Sequence, residues 1–245
     1  MASIKRRTEV TRARLLALLF PRRCPFCGAL LGADAVQGTV CPACLPEEMR
    51  LQHLPPRLPE GEHAFYALGE AAAAYYYADA VRGAILRCKR GGRPWYAQEL
   101  ADRMAVLIFG ALPARRVGEL PQYRGLHTLP LYSCIVPVLP LLLARRLSAV
   151  LGIPVVTPLY IKNPGRPQKE LTREERLRRA KAAFACRPGT DLTGKRVLLV
   201  DDIITTGATA SACAAALLQA GAIEVTAAAI AATEELPKAQ QKKER

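Results

Sequence analysis

One stretch, residues 197–209, decides the fold of this 245-residue chain: Val197-Leu198-Leu199-Val200-Asp201-Asp202-Ile203-Ile204-Thr205-Thr206-Gly207-Ala208-Thr209. Four apolar residues run into two adjacent carboxylates, and a hydroxyl-rich turn with one glycine leads into an alanine-rich segment. A continuous apolar run of this kind is typical of a strand that is buried on both faces of a parallel sheet. The stretch therefore predicts a buried strand, a loop and the first turn of a helix.

The text around this stretch repeats the alternation of strand and helix. Further strands are predicted over 64–69 and 72–77 as a hairpin, over 134–138, over 154–157 and over 223–232. Helices are predicted over 80–86, 96–109, 141–151, 208–220 and, from a capping box formed by Thr172 and Glu175, over 172–184. This order predicts an α/β fold, a parallel sheet with helices on both faces.

Four of the eight cysteines form two C-x2-C pairs, Cys24 with Cys27 and Cys41 with Cys44, separated by a 13-residue spacer. Each pair fits a tight turn that aims two thiolates at one point, so two turns complete a tetrahedral sulfur site for a structural zinc ion. Disulfides are the alternative, but they require an oxidising compartment, and no export signal is apparent. The spacing thus predicts a small zinc module at the start of the chain.

The loop after the predicted strand carries groups suited to two parts of one ligand. Backbone N–H groups of residues 205–209 and the following helix N-terminus form a cradle for a phosphate, and Gly207 allows close approach of the backbone. Asp201 and Asp202 would repel a phosphate, but they can accept hydrogen bonds from neutral hydroxyls or bind a divalent cation. The loop therefore predicts a site for a sugar that carries both a phosphate and a free diol.

This segment resembles the phosphoribosyl pyrophosphate (PRPP) signature of type I phosphoribosyltransferases. The resemblance implies that Asp201 and Asp202, the predicted catalytic residues, contact the ribose 2′ and 3′ hydroxyls. It implies that the turn from Thr205 through Thr206, Gly207 and Ala208 to Thr209 binds the 5′-phosphate. It also implies a type I phosphoribosyltransferase-like fold and magnesium bound together with PRPP.

The whole layout is similar to the ComF family of competence-associated phosphoribosyltransferase-like proteins, over about residues 15–232. The matching features are the Phe20-Pro21 to Gly28 start, the second cysteine pair, Lys89-Arg90-Gly91-Gly92, Ile135 to Val138, and Gln168, Lys169, Leu171, Glu175, Arg176, Ala183 and Phe184. Lys89 is added to the predicted PRPP-binding residues, because a cation there would neutralise the leaving pyrophosphate. The resemblance further implies a role in DNA uptake, with single-stranded DNA and the competence helicase machinery as partners.

The chain departs from this family in two places. The family has a basic RGxNQ-type loop after the apolar strand, whereas here Val138 runs almost directly into Leu141, and Arg179 stands where an asparagine is expected. The first departure shortens the loop that would hold the pyrophosphate. Whether the chain turns over as an enzyme is therefore left open, although a shorter loop perturbs the fold little.

The charge balance points to a polyanionic partner. Lys and Arg number 35 against 21 Asp and Glu, a formal net charge of +14, which excludes an acid-rich solvating protein. The basic residues gather in three clusters, within 5–23, 82–93 and 162–187. The clusters can serve a pyrophosphate or follow a nucleic-acid backbone. Solvated helix faces are the alternative, most of all in the third cluster, where Glu174 and Arg178 lie at a pairing distance.

The apolar stretches do not predict insertion into a membrane. Residues 15–20 are too short for a secretory signal and instead predict a short helix over 12–20. Residues 125–144 are broken by prolines, and residues 203–223 are mostly Ala, Thr and Gly. We expect a cytoplasmic protein.

These observations predict four regions and three functions. The regions are 1–50, an N-terminal helix with the zinc module; 51–62, a linker; 63–233, a phosphoribosyltransferase-like domain; and 234–245, a polar tail. The first function is a ComF-like protein that binds PRPP and supports DNA uptake. The second is an active phosphoribosyltransferase that moves ribose 5-phosphate to an unknown acceptor, and the third is an inert binding module for nucleic acid or protein.

Overall fold

A computed structural model describes residues 23–32, 40–59, 63, 65–90, 95–111, 131–133, 138–162 and 183–234. The helices are α1 (Leu45–Leu51), α2 (Asp79–Arg90), α3 (Trp95–Phe109), α4 (Val138–Leu151) and α5 (Ala208–Gln219). The strands are β1 (Glu70–Tyr76), β2 (Leu131–Ser133), β3 (Val155–Val156), β4 (Leu159–Ile161), β5 (Phe184–Cys186), β6 (Arg196–Ile204) and β7 (Glu224–Ala232). None of the helices in these ranges is long and apolar enough to span a bilayer.

Five strands form one sheet in the order β1-β7-β6-β2-β3, and every neighbouring pair is parallel. Strand β6 pairs with β7 from Arg196 opposite Glu224 to Ile204 opposite Ala232. Residues 197–200 of β6 are buried, because helices cover both faces of the sheet. The predicted α/β class with a parallel sheet is confirmed. Strands β4 and β5 form a separate antiparallel pair.

Two apolar clusters lie on opposite faces of the sheet. On one face, Leu100 of α3 and Leu143 of α4 pack with Leu198 and Val200. On the other face, Cys213 and Leu217 of α5 pack with Val197, Leu199 and Val225. The alternation along β6 and β7 explains this division, since successive side chains of a strand point to opposite faces.

The cysteine-rich segment packs into the first of these clusters. Cys24, Phe26 and Cys41 are buried against the same core as Tyr75 and Ile85. The chain then follows the outer edge of β1, where the N–H of His53 donates to Ala74 O at 3.0 Å and the N–H of Leu58 donates to Ala71 O at 2.8 Å. Residues 52–58 therefore cover the free edge of β1.

The hairpin predicted over 64–77 is wrong, because residues 65–69 form no strand and β1 pairs in parallel with β7. Val138, the last residue of the strand predicted over 134–138, begins α4, and residues 134–137 lie outside the described ranges. The helix predicted to end near Phe184 agrees with the helical conformation of Ala183, one residue before β5 begins.

The helices predicted over 80–86, 96–109, 141–151 and 208–220 are confirmed with small changes at their ends. The strands predicted over 154–157 and 223–232 are confirmed as β3 and β7. The N-terminal helix over 12–20, most of the helix that begins at Thr172, and the tail after Glu234 lie outside the described residues.

Candidate functional site

The loop between β6 and α5 lies at the carboxyl edge of the sheet, where ligands bind in folds of this type. Gly207 has a φ of +75° and immediately precedes the first helical residue, Ala208. Thr205, Thr206 and Thr209 are exposed. The first turn of α5 therefore begins beside three accessible hydroxyls, a setting able to receive an anion.

The paired carboxylates differ in their surroundings. Asp202 is buried, and its Oδ2 lies 2.9 Å from Nζ of Lys89 at the end of α2. Asp201 is half-buried, and its Oδ1 accepts a hydrogen bond of 2.8 Å from the N–H of Asp202. The structure thus brings Lys89, predicted from a distant part of the sequence, into contact with the acid pair.

Asp201 holds its proton unusually tightly for an aspartate. Burial, and then the negative charge of Asp202, raise its pKa to about 7, while the N–H of Asp202 and the Lys89 ammonium act in the opposite direction. Near neutral pH this carboxyl can therefore exist in either state. An ionised carboxylate of this pair can accept a hydrogen bond from a diol, and a protonated one can also donate a hydrogen bond to it.

Gly207 contacts Phe65, and no pattern in the sequence indicates this contact. A Cβ at this position would lie 2.2 Å from Cε1 of Phe65, so the ring of Phe65 packs directly on the glycine. Phe65 in turn stacks on His63, with ring centroids 4.7 Å apart and planes at 6°. The space left by the missing side chain of Gly207 is therefore filled by Phe65.

Two histidines from the segment before β1, His53 and His63, meet at one carboxylate. Nε2 of His53 lies 2.9 Å from Glu234 Oε2, and Nε2 of His63 lies 3.4 Å from Oε1. The Nδ1 atoms lie 2.7 Å from Pro55 O and 3.0 Å from Pro59 O, respectively. This cluster holds the segment before β1 against Glu234, two residues after the end of β7, and so holds Phe65 on the loop.

The four predicted metal ligands are brought together. The sulfur atoms of Cys24, Cys27, Cys41 and Cys44 all lie within 4.8 Å of one another. Sγ of Cys27 and Sγ of Cys41 are 3.6 Å apart, which is close to the roughly 3.8 Å between two ligands of a tetrahedral zinc–sulfur site and well beyond the length of a disulfide bond.

The cysteines of this cluster differ in acidity, since burial raises the pKa of Cys24 and of Cys44, whereas the pKa of Cys41 is lowered. The N–H of Ala29 donates to Sγ of Cys27 at 3.4 Å. Burial opposes ionisation of Cys41, but hydrogen bonds from the Cys44 N–H and the other thiols lower its pKa to about 7. The donor set therefore fits a metal ion bound by four sulfurs.

Side chains from the core anchor both cysteine turns. The guanidinium of Arg87 in α2 donates from NH2 to Pro25 O at 3.1 Å and also to Phe26 O, both in the first turn. After the second turn, Glu48 is fully buried, and it accepts a hydrogen bond of 2.6 Å from the Tyr75 hydroxyl and an ion pair from Arg103. The cysteine cluster is thus fixed to the sheet and to two helices.

Comparisons with known proteins agree with this architecture. Residues 138–245 match the family described as phosphoribosyl transferase domain. No curated protein matches the chain.

Among solved structures, the chain is similar to the glutamine PRPP amidotransferase of B. subtilis complexed with ADP and GMP, at 22% identity, over 54% of this chain and 25% of that chain, with a TM-score of 0.36. An allosteric regulatory enzyme of purine biosynthesis matches at 22% identity over 56% of this chain and 25% of its own, with a TM-score of 0.34. A glutamic acid mutant from an analysis of an invariant aspartic acid in HPRTs matches at 17% identity over 59% and 77%, with a TM-score of 0.33.

The chain spans about a quarter of the length of the first two of these proteins. The family match covers the strand, loop and helix that carry Asp201 to Thr209, together with the helix α4 before them. The described residues therefore form a parallel sheet with helices on both faces and a four-cysteine cluster before it, and residues 138–245 match the phosphoribosyl transferase domain.

Proposed function

We propose that the chain binds PRPP at the loop between β6 and α5 and acts as a phosphoribosyltransferase. One observation carries the proposal: Asp201, Asp202 and the exposed threonine turn lie inside the region that matches the phosphoribosyl transferase domain, and Lys89, from outside that region, forms an ion pair with Asp202. Carboxylates for a diol, a helix N-terminus for a phosphate and a cation for a pyrophosphate are what PRPP requires.

The residues have separate roles in this proposal. Asp201 and Asp202 accept hydrogen bonds from the ribose hydroxyls, and backbone N–H groups of the 205–209 turn bind the 5′-phosphate. Lys89 keeps its contact with Asp202 and places its positive charge beside the pyrophosphate. Magnesium bound with PRPP would add positive charge at the pyrophosphate.

The transfer needs no protein nucleophile. The bond from C1 of the ribose to pyrophosphate breaks, the bond from the acceptor to C1 forms, and the acceptor loses a proton. The protein stabilises positive charge at C1 and negative charge on the departing pyrophosphate. Asp202, buried beside C1 in this arrangement, supplies part of that stabilisation.

Calorimetry with PRPP and Mg²⁺ tests the site. We expect heat of binding from the wild type and a loss of affinity of about 10- to 100-fold in Asp202→Asn, because a hydrogen bond to a charged group contributes about 1.5–3 kcal/mol. Glu224→Gln is the matched control, since Glu224 lies at the amino end of β7 in an ion pair with Arg196. No heat from the wild type, or equal affinities for the two variants, would contradict the assignment.

The same titration at pH 6 and at pH 8 tests the direction in which PRPP affinity changes with pH. Since the pKa of Asp201 is about 7, its ionised fraction rises from about one tenth to about nine tenths across this range. We expect wild-type affinity to rise with pH by more than that of Asp201→Asn. The comparison with this variant removes the contribution from titration of PRPP itself.

We propose zinc as the ion of the four-cysteine cluster, with a structural role. Four sulfur ligands close the coordination shell, which leaves no position for a water molecule that could act in catalysis. The site therefore contributes to folding, and the phosphoribosyl chemistry is assigned to the β6–α5 loop alone.

We propose, on the resemblance to the ComF family, that the chain also binds single-stranded DNA and supports DNA uptake. Of the second basic cluster, Arg87 and Lys89 are engaged in internal contacts, while Arg82 of α2 is exposed. The test is binding of a labelled single strand over a series of salt concentrations. If basic residues contact phosphates, the logarithm of the binding constant should fall linearly with log[salt], with a negative slope of several units. A slope near zero would contradict the proposal.

A further inference from the structure

We propose that the last turn of α2 couples metal binding at the four-cysteine cluster to ligand binding at Asp202, with Arg87 as the positioning residue. This inference rests on the proposed PRPP site for its ligand. Its physical basis is that one helix end contacts both sites, through two side chains that are two residues apart.

Arg87 forms hydrogen bonds with the first cysteine turn, so its position depends on the conformation of that turn. Its NH2 group donates to the carbonyl oxygens of Pro25 and Phe26, the two residues between Cys24 and Cys27. A metal ion bound by both cysteines fixes this turn and therefore fixes both acceptors. Without the metal, the turn is held by backbone hydrogen bonds, such as Gly28 N to Cys24 O at 2.9 Å, and by the contacts of Arg87.

Lys89 points away from the cysteine turn. Residues two apart on an α-helix are separated by about 200° around its axis, so Arg87 and Lys89 lie on opposite faces of α2. Nζ of Lys89 lies 2.9 Å from Oδ2 of Asp202. The end of α2 is thus held between the metal cluster on one face and the acid pair on the other.

The beginning of α2 is tied to the cysteine module as well. Asp79, its first residue, has a φ of +38° and accepts an ion pair of 2.6 Å from Arg50 in α1, which follows Cys44 closely in the chain. Each of the two cysteine turns is therefore connected to one end of α2. A change in the cluster reaches the whole helix, and through Lys89 it reaches Asp202.

The coupling can be measured in two directions, through the effect of metal on PRPP affinity and the effect of PRPP on metal affinity. If metal strengthens PRPP binding by some factor, PRPP must strengthen metal binding by the same factor. We expect a factor of about ten, within the range typical of coupled sites. Zinc transfer to a colorimetric chelator is measured with and without PRPP and Mg²⁺, and PRPP calorimetry is run on zinc-loaded and zinc-stripped wild type.

Two variants on one helix provide the matched comparison. Arg87→Gln is expected to bind one zinc ion per chain while losing the effect of PRPP on zinc transfer. Arg82→Gln, an exposed position on the same helix, is expected to keep that effect. A wild type that binds PRPP with no change in zinc affinity would overturn the coupling, and this measurement needs no variant to fold.

A third variant separates failure of the coupling from failure of the proposed function. Lys89→Gln breaks the contact to Asp202 and leaves the cysteine turn untouched. If the wild type gives no heat with PRPP, faster zinc transfer in Lys89→Gln than in Arg82→Gln would still support the coupling, while the PRPP site would be refuted. Equal transfer rates in those two variants would overturn the coupling.

Discussion

Replacing Cys24 with serine is expected to abolish zinc binding and to lower the free energy of unfolding by several kcal/mol. Binding of a structural zinc ion contributes about 10–16 kcal/mol in small zinc-finger peptides, so loss of one ligand removes a large stabilising term. The effect reaches the sheet, because Cys24 and Phe26 are buried in the same cluster as Tyr75. Metal analysis and urea denaturation measure the two outcomes.

Cys186→Ser is the matched control for this change. Cys186 is half-buried outside the cluster, and its thiol donates to Ala216 O at 3.4 Å, a bond that a hydroxyl can also make. We expect this variant to keep one zinc ion per chain and to unfold at a urea concentration near the midpoint of the wild type. A Cys24→Ser protein with full zinc content and an unchanged midpoint would refute the structural role of the cluster.

The second large effect is expected for Gly207→Ala, with a loss of about 3 kcal/mol or more in the free energy of unfolding. A left-handed φ costs an alanine about 1–2 kcal/mol, and the remainder comes from overpacking against Phe65. The ring cannot move aside easily, because it stacks on His63, whose own ring faces Glu234 and Pro59. PRPP affinity should fall together with stability, because the same residue begins α5.

Gly110→Ala isolates the contribution of the backbone. Gly110 has a φ of +61°, close to that of Gly207, but among the residues that the structure describes a Cβ there would meet no atom within 4 Å. We expect a loss of only about 1 kcal/mol in urea denaturation. Equal losses at the two glycines would mean that Phe65 gives way and that its contact with the loop contributes little.

The sequence carried strong signals for the centre of the molecule. Residues 197–200 are apolar without a break, which is typical of a strand covered on both faces, and they do form such a strand. The two C-x2-C pairs likewise predicted that four sulfurs would meet, since each pair forms its own turn before any tertiary contact is made. Local patterns were sufficient in both places.

Other features depend on residues that are distant in the chain. The alanine- and tyrosine-rich run at β1 was assigned to a hairpin, but its partner is β7, about 150 residues later. The apolar text from Ile135 to Leu143 suits a strand as well as a helix, and prolines are tolerated before and within a first helical turn, so the start of α4 was misplaced.

The same reason explains the parts of the site that were missed. No local pattern indicates that Phe65 packs on Gly207 or that Arg87 donates to carbonyl groups beside the first cysteine pair. Lys89 was selected only from a family resemblance, and its contact with Asp202 joins residues more than 100 positions apart. Such contacts follow from the topology of the sheet and not from the neighbouring sequence.

The pairing of β1 with β7 also has a consequence for the order of events during synthesis. Strand β1 occupies an edge of the sheet, and β7, the last strand in the chain order, is its sheet neighbour. A ribosome therefore releases β1 long before its partner exists, and contacts between such distant segments form slowly. The two cysteine turns need only residues close to one another in the chain, so metal binding can give the early segment a compact structure while the rest of the sheet is still being made.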